Sequence, residues 1–419
     1  MKYQTYPNYK PSGVEWLGDV PEHWKLCRLK FMAKIKNGQD YKAVEVEDGY
    51  PVIGSGGQFS YASEFTYDKE SVLLGRKGTI DKPLYIDEPF WTVDTMYYTE
   101  INKNIYPKYL YYLALTIQFG RYSTSTALPS MTQEHLGNFI FAIPDYELDR
   151  KKIANFLDHE TAKIDTLIDK QQRLIALLKE KRQAVISHAV TKGLNPNAPM
   201  KPSGVEWLGD VPKHWFVVPI KRICEVKDGT HETPQYVDKS ELSFPLVTSK
   251  DFEGNFICFE NAKYISKEDH LEIIKRSNTE TGDILMSMIG GNIGKALIVG
   301  EDNNFSIKNV ALFKTKQNDF LARYILFYLQ SGLLDIQISL LSRGGAQGFL
   351  SLGDIRNLIF FKISTAEIYE IVTYLNEHTI KFDELIGRAN FAIELMQERR
   401  TALISAAVTG KIDVRDWGD

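Results

Sequence analysis

The chain has 419 residues, 43% hydrophobic and 25% charged, which suits a globular protein with two or three domains and real cores. Its net charge of -4 argues against a protein that coats nucleic acid unaided, because phosphate binding needs a local excess of Lys and Arg; recognition through a patch, or with basic partners, stays open. Three cysteines, Cys27, Cys224 and Cys258, with no CxxC spacing, argue against a disulfide framework or a cysteine zinc site and fit a reducing compartment.

The N-terminal MKYQTYPNYKPSG lacks the apolar core of a signal sequence, and no stretch approaches the roughly 18 apolar residues of a membrane span. A cytoplasmic protein with no membrane partner is expected. Residues 10–21 read KPSGVEWLGDVP. From about 20 to 145, short β-type runs (SVLLGRKG, TVDTMYY, GNFIFAI) alternate with turn residues, and YPKYLYYLALTI is an aromatic-rich helix candidate. Residues 147–190 read as one long helix without proline. Leu157, Ile164, Gln171, Leu178 and Val185 recur every seven residues, flanked by Ile153, Leu167, Ile168, Leu174 and Ile175. The stretch TKGLNPNAPMKPSG at 191–204 reads as a linker.

KPSGVEWLGDVP then returns unchanged at 201–212. Residues 210–363 again mix β-type runs (GDILMSMIGGNIGKALIV, KNVALF, RNLIFF) with a helix candidate, FLARYILFYLQSG. Residues 366–408 form a second predicted long helix, with Leu375, Phe382, Ala389, Met396 and Leu403 every seven and Ile371, Leu385, Ile386 and Ile393 beside them. IANFLDHETAKIDTLI at 153–168 parallels IVTYLNEHTIKFDELI at 371–386, and AVISHAVT at 184–191 parallels ALISAAVT at 402–409. The repeat offset is 191 at the first landmark and 218 at the second, so the copies differ by 27 residues between them. A period this long means a duplicated domain and not a solenoid. An exposed helix of about 60 Å needs a partner for its apolar stripe, and the other helix, packed antiparallel, is the economical one. The polar Gln171 in the stripe either sets the register or sits at a wet edge.

Motifs of catalysis are missing. GGNIGKA at 290–296 fails the phosphate-loop spacing and has Ala296 where a hydroxyl would hold magnesium. GSGGQF at 54–59 is not GxGxxG, no HExxH occurs, and no Asn-Pro-Pro-aromatic signature of adenine methyltransferases is present.

Along nearly its whole length the sequence resembles the specificity subunits of type I restriction–modification enzymes. The resemblance rests on KPSGVEWLGDVPEHW and its repeat at 201–215, VIGSGGQF at 52–59 and LLGRKGTI at 73–80. DGTHETPQY at 228–236, GDILMSMIGGNIGKA at 282–296 and the two IANFLDHETAKIDTLI-like segments complete it. The chain departs from the family pattern at Asp149-Arg150, at Ile368-Tyr369 and at Asp81, which puts fine contacts there in doubt. The resemblance implies an α+β fold: two mixed α/β target recognition domains joined by two long antiparallel coiled-coil helices, with a pseudo-two-fold internal repeat. The expected segments are a first recognition domain at 1–145, a first spacer helix at 146–190 and a linker at 191–204. A second recognition domain at 205–363, a second spacer helix at 364–410 and a tail at 411–419 follow.

It further implies a non-catalytic DNA-recognition subunit without cofactor or metal. Each half would read one half-site of a bipartite double-stranded DNA target. The helices would set the spacer and dock two methyltransferase subunits, and two restriction/translocase subunits would complete the complex. Sequence is read by donors and acceptors on base edges, whereas phosphate contacts position the protein. On that basis the candidate DNA-binding residues are Arg76, Lys77, Ser125 and Thr126 in the first half, and His231, Lys295, Arg343 and Gln347 in the second. Two other classes stay in view. A duplicated coiled-coil spacer would enrich no DNA sequence, and a stand-alone DNA-modifying enzyme would methylate or cleave without partners.

Overall fold

Short runs of β-branched and aromatic residues broken by Gly, Asp and Asn build the sheets of both halves. The computed structural model describes residues 3–121, 130–301, 304–341 and 348–417. Contacts divide the chain into two compact units, Met1–Gln172 with Asn390–Asp419, and Arg173–Ala389. The long helices, Glu147–Lys192 and Thr365–Val408, each contribute one part to each unit. The unit boundaries thus fall inside the helices, because a helix longer than a domain buries its two ends in different cores.

In the first unit, the central four-stranded antiparallel sheet runs Ala33–Asn37, Met96–Ile101, Ser71–Gly75, Leu84–Ile86. A second sheet holds Tyr50–Gly54, Gly57–Ala62 and Glu45–Val46, with Trp91–Thr92 joining in parallel. In the second unit the central sheet runs Glu225–Asp228, Val310–Lys314, Ile284–Ser287, Ala296–Ile298, again antiparallel. Its companion sheet also takes one parallel pair, Phe244–Val247 with Ser306–Ile307. The crossing between sheets is marked by one glycine in each unit. A Cβ on Gly38 would lie 2.1 Å from the Val93 carbonyl oxygen, and one on Gly229 would lie 2.1 Å from that of Ile307. Only glycine lets the chain pass there. The units differ before the strand that starts the central hairpin. The second carries the helix Lys267–Ser277, whereas the first goes from Ala62 to Ser71 without a helix.

The aromatic-rich segments fold as the helices Pro107–Ala114 and Asp319–Leu329, which bury Tyr109 and Leu110, and Tyr324 and Tyr328. Among the described residues no single helix is long and apolar enough to cross a membrane. The thiols Cys27, Cys224 and Cys258 are free, and burial pushes Cys224 up to about 12.

Within each unit the two long helices run antiparallel. In the first, Lys152 reaches the Arg415 carbonyl while Asp165, further along, meets Arg400 at 2.9 Å. In the second, Arg182 meets Asp383 at 3.0 Å, and Gly193 lies beside Glu367. The repeat offset of 218 places Asp165 on Asp383 and Arg182 on Arg400, so the duplication supplies both halves of both bridges. The heptad residues face inward: Leu157, Ile164, Leu375, Ala389 and Leu403 are buried, and Gln171, Leu178, Val185, Phe382 and Met396 are half-buried. The flanking Leu167, Leu174 and Leu385 are instead exposed, because two helices present one narrow seam to each other and leave adjacent positions to solvent.

Both helices end at a glycine in the left-handed region, Gly193 (φ 73°) and Gly410 (φ 74°), where the reversal stops the helix. A lysine at each end then holds the repeated motif. Lys192 donates to the Asp210 carbonyl, and Lys411 donates to those of Leu17 and Asp19. The repeated tryptophans Trp24 and Trp215 are fully buried, but their surroundings differ. Glu367 accepts from Trp215 Nε1 at 2.9 Å and pairs with His214. The repeat puts the shorter Asp149 at that place in the first unit, where Trp24 Nε1 and His23 Nε2 meet no partner among the described residues.

The inward stripe and the bridges should carry different weights. The bridges are partly exposed, and such pairs contribute about 0–1 kcal/mol, whereas truncating a fully buried leucine costs about 2–5 kcal/mol. Leu157→Ala and Leu375→Ala are each expected to destabilise by about 2–5 kcal/mol, and Arg182→Met and Arg400→Met by less than about 1 kcal/mol. Denaturant unfolding of the four variants checks this; equal losses from both classes would contradict it.

Candidate nucleic-acid interface

In the first unit, two glycine-rich motifs come together at one end of the sheets. The strand Ser71–Gly75 runs into Arg76-Lys77-Gly78, and a Cβ on Gly78 would sit 3.2 Å from Ser55 Oγ in the turn between Tyr50–Gly54 and Gly57–Ala62. The backbone amides of Arg76 and Lys77 both donate to the Thr95 carbonyl, which fixes the loop. The Arg76 side chain is half-buried. Its guanidinium lies 5.8 Å from the centre of the Tyr97 ring and donates to the Asp94 carbonyl at 3.3 Å. Lys77 is exposed, and so is Phe59 on the neighbouring hairpin. Arg76 is thus tethered and Lys77 projects. Ser125 and Thr126 lie outside the described residues.

The same corner of the second unit has other chemistry. Backbone bonds make Met288 the counterpart of Arg76: Met288 N donates to the Asn309 carbonyl as Arg76 N donates to Thr95, and Leu350 N donates to Met288 as Met131 N does to Arg76. The charged pair Arg76-Lys77 is therefore replaced by Met288-Ile289. Positive charge comes instead from other elements. Lys250, Lys263 and Lys308 line a cavity of about 530 Å³, together with Tyr236, Asn261, Gly290 and Asn309. Among the described residues lining the cavity the one carboxylate, Asp251, is occupied: it accepts from Thr248 N at 2.7 Å and from Thr248 Oγ1 at 2.9 Å, capping the turn.

His231 stands beside this cavity with both ring nitrogens engaged. Nε2 lies 2.9 Å from Asp228 Oδ2, and Nδ1 lies 2.9 Å from Asn309 Oδ1. Asp228 is only 3% exposed and also accepts from Arg276 of the helix Lys267–Ser277. That helix is anchored by the buried His270, which stacks on Phe244 and bonds Ser306, and whose pKa burial depresses. The Lys295 ammonium is taken by the Phe252 carbonyl at 2.6 Å. Arg343 and Gln347 lie outside the described residues. The structure thus gathers His231 with Asn309 and the lysines, while Lys295 bonds backbone at Phe252. Lys250, Lys263, Lys308 and Asn309 are not among the residues that the sequence singles out. The available signal was the KNVALF run, whose first two residues precede the strand Val310–Lys314.

The chemistry of these surfaces suits DNA: cations, amides and exposed aromatic rings at one end of a rigid sheet frame. The model of the type I restriction modification DNA specificity domain matches residues 21–176. The type I restriction enzyme EcoBI specificity subunit of Escherichia coli is 23% identical over 425 residues, spanning 96% of this chain and 89% of that protein. A solved chain from work on complex assembly and conformational transition of the type I R-M system matches with a TM-score of 0.61 at 14% identity. It covers 93% of this chain and 98% of that one, so the fold is shared. The chain is thus similar to a type I restriction–modification specificity subunit along nearly its whole length, and its residues 21–176 match the DNA specificity domain of such subunits.

The His231 pKa is raised above its ordinary 6.5, first by the hydrogen bond to Asn309 and then by Asp228, against burial and the Arg276 charge. A histidine raised by folding contributes stability that is full below 6.5 and is lost as pH rises through the folded value. An NMR titration is expected to put the His231 midpoint above 6.5, and Asn309→Ala to lower it. A wild-type midpoint at or below 6.5 would contradict the network.

Proposed function

We propose that each unit presents one target recognition domain that reads one half-site of a bipartite DNA sequence. The observation that carries this is a common frame with unlike reading corners. The central sheets share their strand order and their glycine crossing, yet Arg76-Lys77 in one unit corresponds to Met288-Ile289 in the other. Conserving the frame keeps the mode of docking, and changing the corner changes the bases that are read. DNA contacts are assigned to Lys77 and, through its anchoring, Arg76. In the second unit they are assigned to the cavity beside His231. Ser125, Thr126, Arg343 and Gln347 remain candidates from sequence.

The long helices act as an antiparallel coiled coil that sets the spacer between half-sites. They also dock two methyltransferase subunits. The exposed Leu167 and Leu395 of the first unit correspond under the repeat to Leu385 and Leu177 of the second, which gives two equivalent apolar faces for two copies of one partner. Chemistry then belongs to those subunits and to two restriction/translocase subunits, and this chain supplies the address.

Exchange of residues 20–145 for the matching region of a relative tests the reading. With the methyltransferase supplied, mapping of modified adenines is expected to show one half-site replaced and the other kept. A change in both half-sites, or in neither, would contradict modular recognition.

A further inference from the structure

The second unit contains a chain of polar side chains with no counterpart among the described residues of the first. It runs from Arg276 to Asp228, from Asp228 to His231 and from His231 to Asn309, and ends on the wall of the lysine-lined cavity. The repeat places Asn37 where Asp228 stands, and Asn37 accepts from Gln133 Nε2 instead. Resting on the DNA-recognition reading above, we infer that His231 is a positioning residue that turns the Asn309 amide so that it offers the cavity a hydrogen-bond donor, making Asn309 a specificity-determining residue of the second half-site.

The geometry restricts Asn309 at every atom but one. Its backbone sits in the left-handed region at φ 54°, which asparagine tolerates. Its N–H donates to the Thr230 carbonyl and its own carbonyl accepts from Met288 N, so the residue cannot swing away. Its Oδ1 faces His231 Nδ1 at 2.9 Å. Among the described residues no protein acceptor takes its Nδ2.

Which end of the amide meets the histidine is a matter of protonation. Asp228 is buried, and its carboxylate requires a proton on His231 Nε2. If Nδ1 also carries a proton, it must meet an acceptor, and the amide presents Oδ1 to the ring and Nδ2 to the cavity. If Nδ1 is bare, the amide turns over and presents Oδ1 to the cavity. The Asp228 carboxylate favours the doubly protonated ring, and Oδ1 placed 2.9 Å from Nδ1 is the arrangement that such a ring requires, in line with its raised pKa. Arg276 balances the Asp228 charge from the other side without removing its hold on the ring.

An asparagine with both ends free reads adenine through paired bonds to N6 and N7. With Oδ1 taken, only a donor remains. A donor suits bases that present an acceptor in the major groove and rejects cytosine, whose edge there offers a donor. Lys250, Lys263 and Lys308 around the cavity suit the flanking phosphates, although Lys308 also bonds Thr233.

The test uses the full chain with its methyltransferase subunits and a duplex library randomised across the target. Wild-type protein is expected to exclude cytosine at one position of one half-site. Asn309→Asp replaces the donor with an acceptor and is expected to shift that position toward cytosine by about tenfold or more, leaving the other positions unchanged. His231→Ala frees both ends of the amide and is expected to raise adenine at the same position; a merely structural role would weaken binding to all sequences alike. Thermal unfolding of both variants identifies any that misfold, and either one alone suffices. Enrichment by wild type with no shift at any single position in the folded variants overturns the Asn309 assignment alone. Failure of the wild-type complex to enrich any sequence overturns the DNA-recognition reading beneath it.

Discussion

An α-helix of more than forty residues with a heptad stripe cannot leave that stripe in water, and this constraint shapes both units of the protein. Each buried leucine of the stripe outweighs any of the exposed ion pairs beside it. The inward positions Leu157, Ile164, Leu375 and Leu403 join the same cores as the globular elements. Ile153, Leu157 and Ile164 pack in one cluster with Trp24, Tyr109 and Phe141, and Ile371 and Leu375 pack in another with Trp215, Tyr324 and Phe360. Helix and sheet therefore stabilise each other, and the corner that carries Arg76 and Lys77 rests on that packed frame.

Duplication explains how one chain satisfies that constraint twice. Because Asp165 and Asp383 are repeats, as are Arg182 and Arg400, one ancestral pairing yields two bridges of opposite direction. Each helix end also carries one lysine and one glycine, in reversed order: Lys192-Gly193 stands opposite Gly410-Lys411 in the repeat. Divergence is concentrated elsewhere. The helix Lys267–Ser277, the Met288-Ile289 pair and the Glu367 contact to Trp215 belong to the second unit, while Arg76-Lys77 and the unpaired Trp24 Nε1 belong to the first.

Much of the frame was legible because its signals are periodic or repeated. The heptads named the inward residues of both helices, and the returning KPSGVEWLGDVP revealed two equivalent halves. What escaped depends on tertiary approach. Leu167, Leu174 and Leu385 look like stripe residues by spacing, but only the partner helix decides which flank is covered. His231 was legible as a functional candidate, yet its engagement with Asp228 and Asn309 joins three separate elements and has no signature in local sequence. Lys295 resembles a free loop cation in sequence, whereas the fold brings the Phe252 carbonyl to its ammonium. Lys250, Lys263 and Lys308 are far apart in the chain and converge only when the sheets form.

The role proposed for the paired helices is to fix the distance between two half-sites of DNA. Four residues inserted together near Gln171 and near Ala389 would lengthen each helix by about 6 Å while rotating the stripe by only about 40°, so pairing can survive. Base pairs of DNA rise about 3.4 Å each. Mapping modified adenines with the partner methyltransferase present measures the result directly. Both half-site sequences are expected to be retained and their separation to grow by about one or two base pairs. A folded, active insertion protein with an unchanged spacer would contradict this and leave the helices as a docking surface alone.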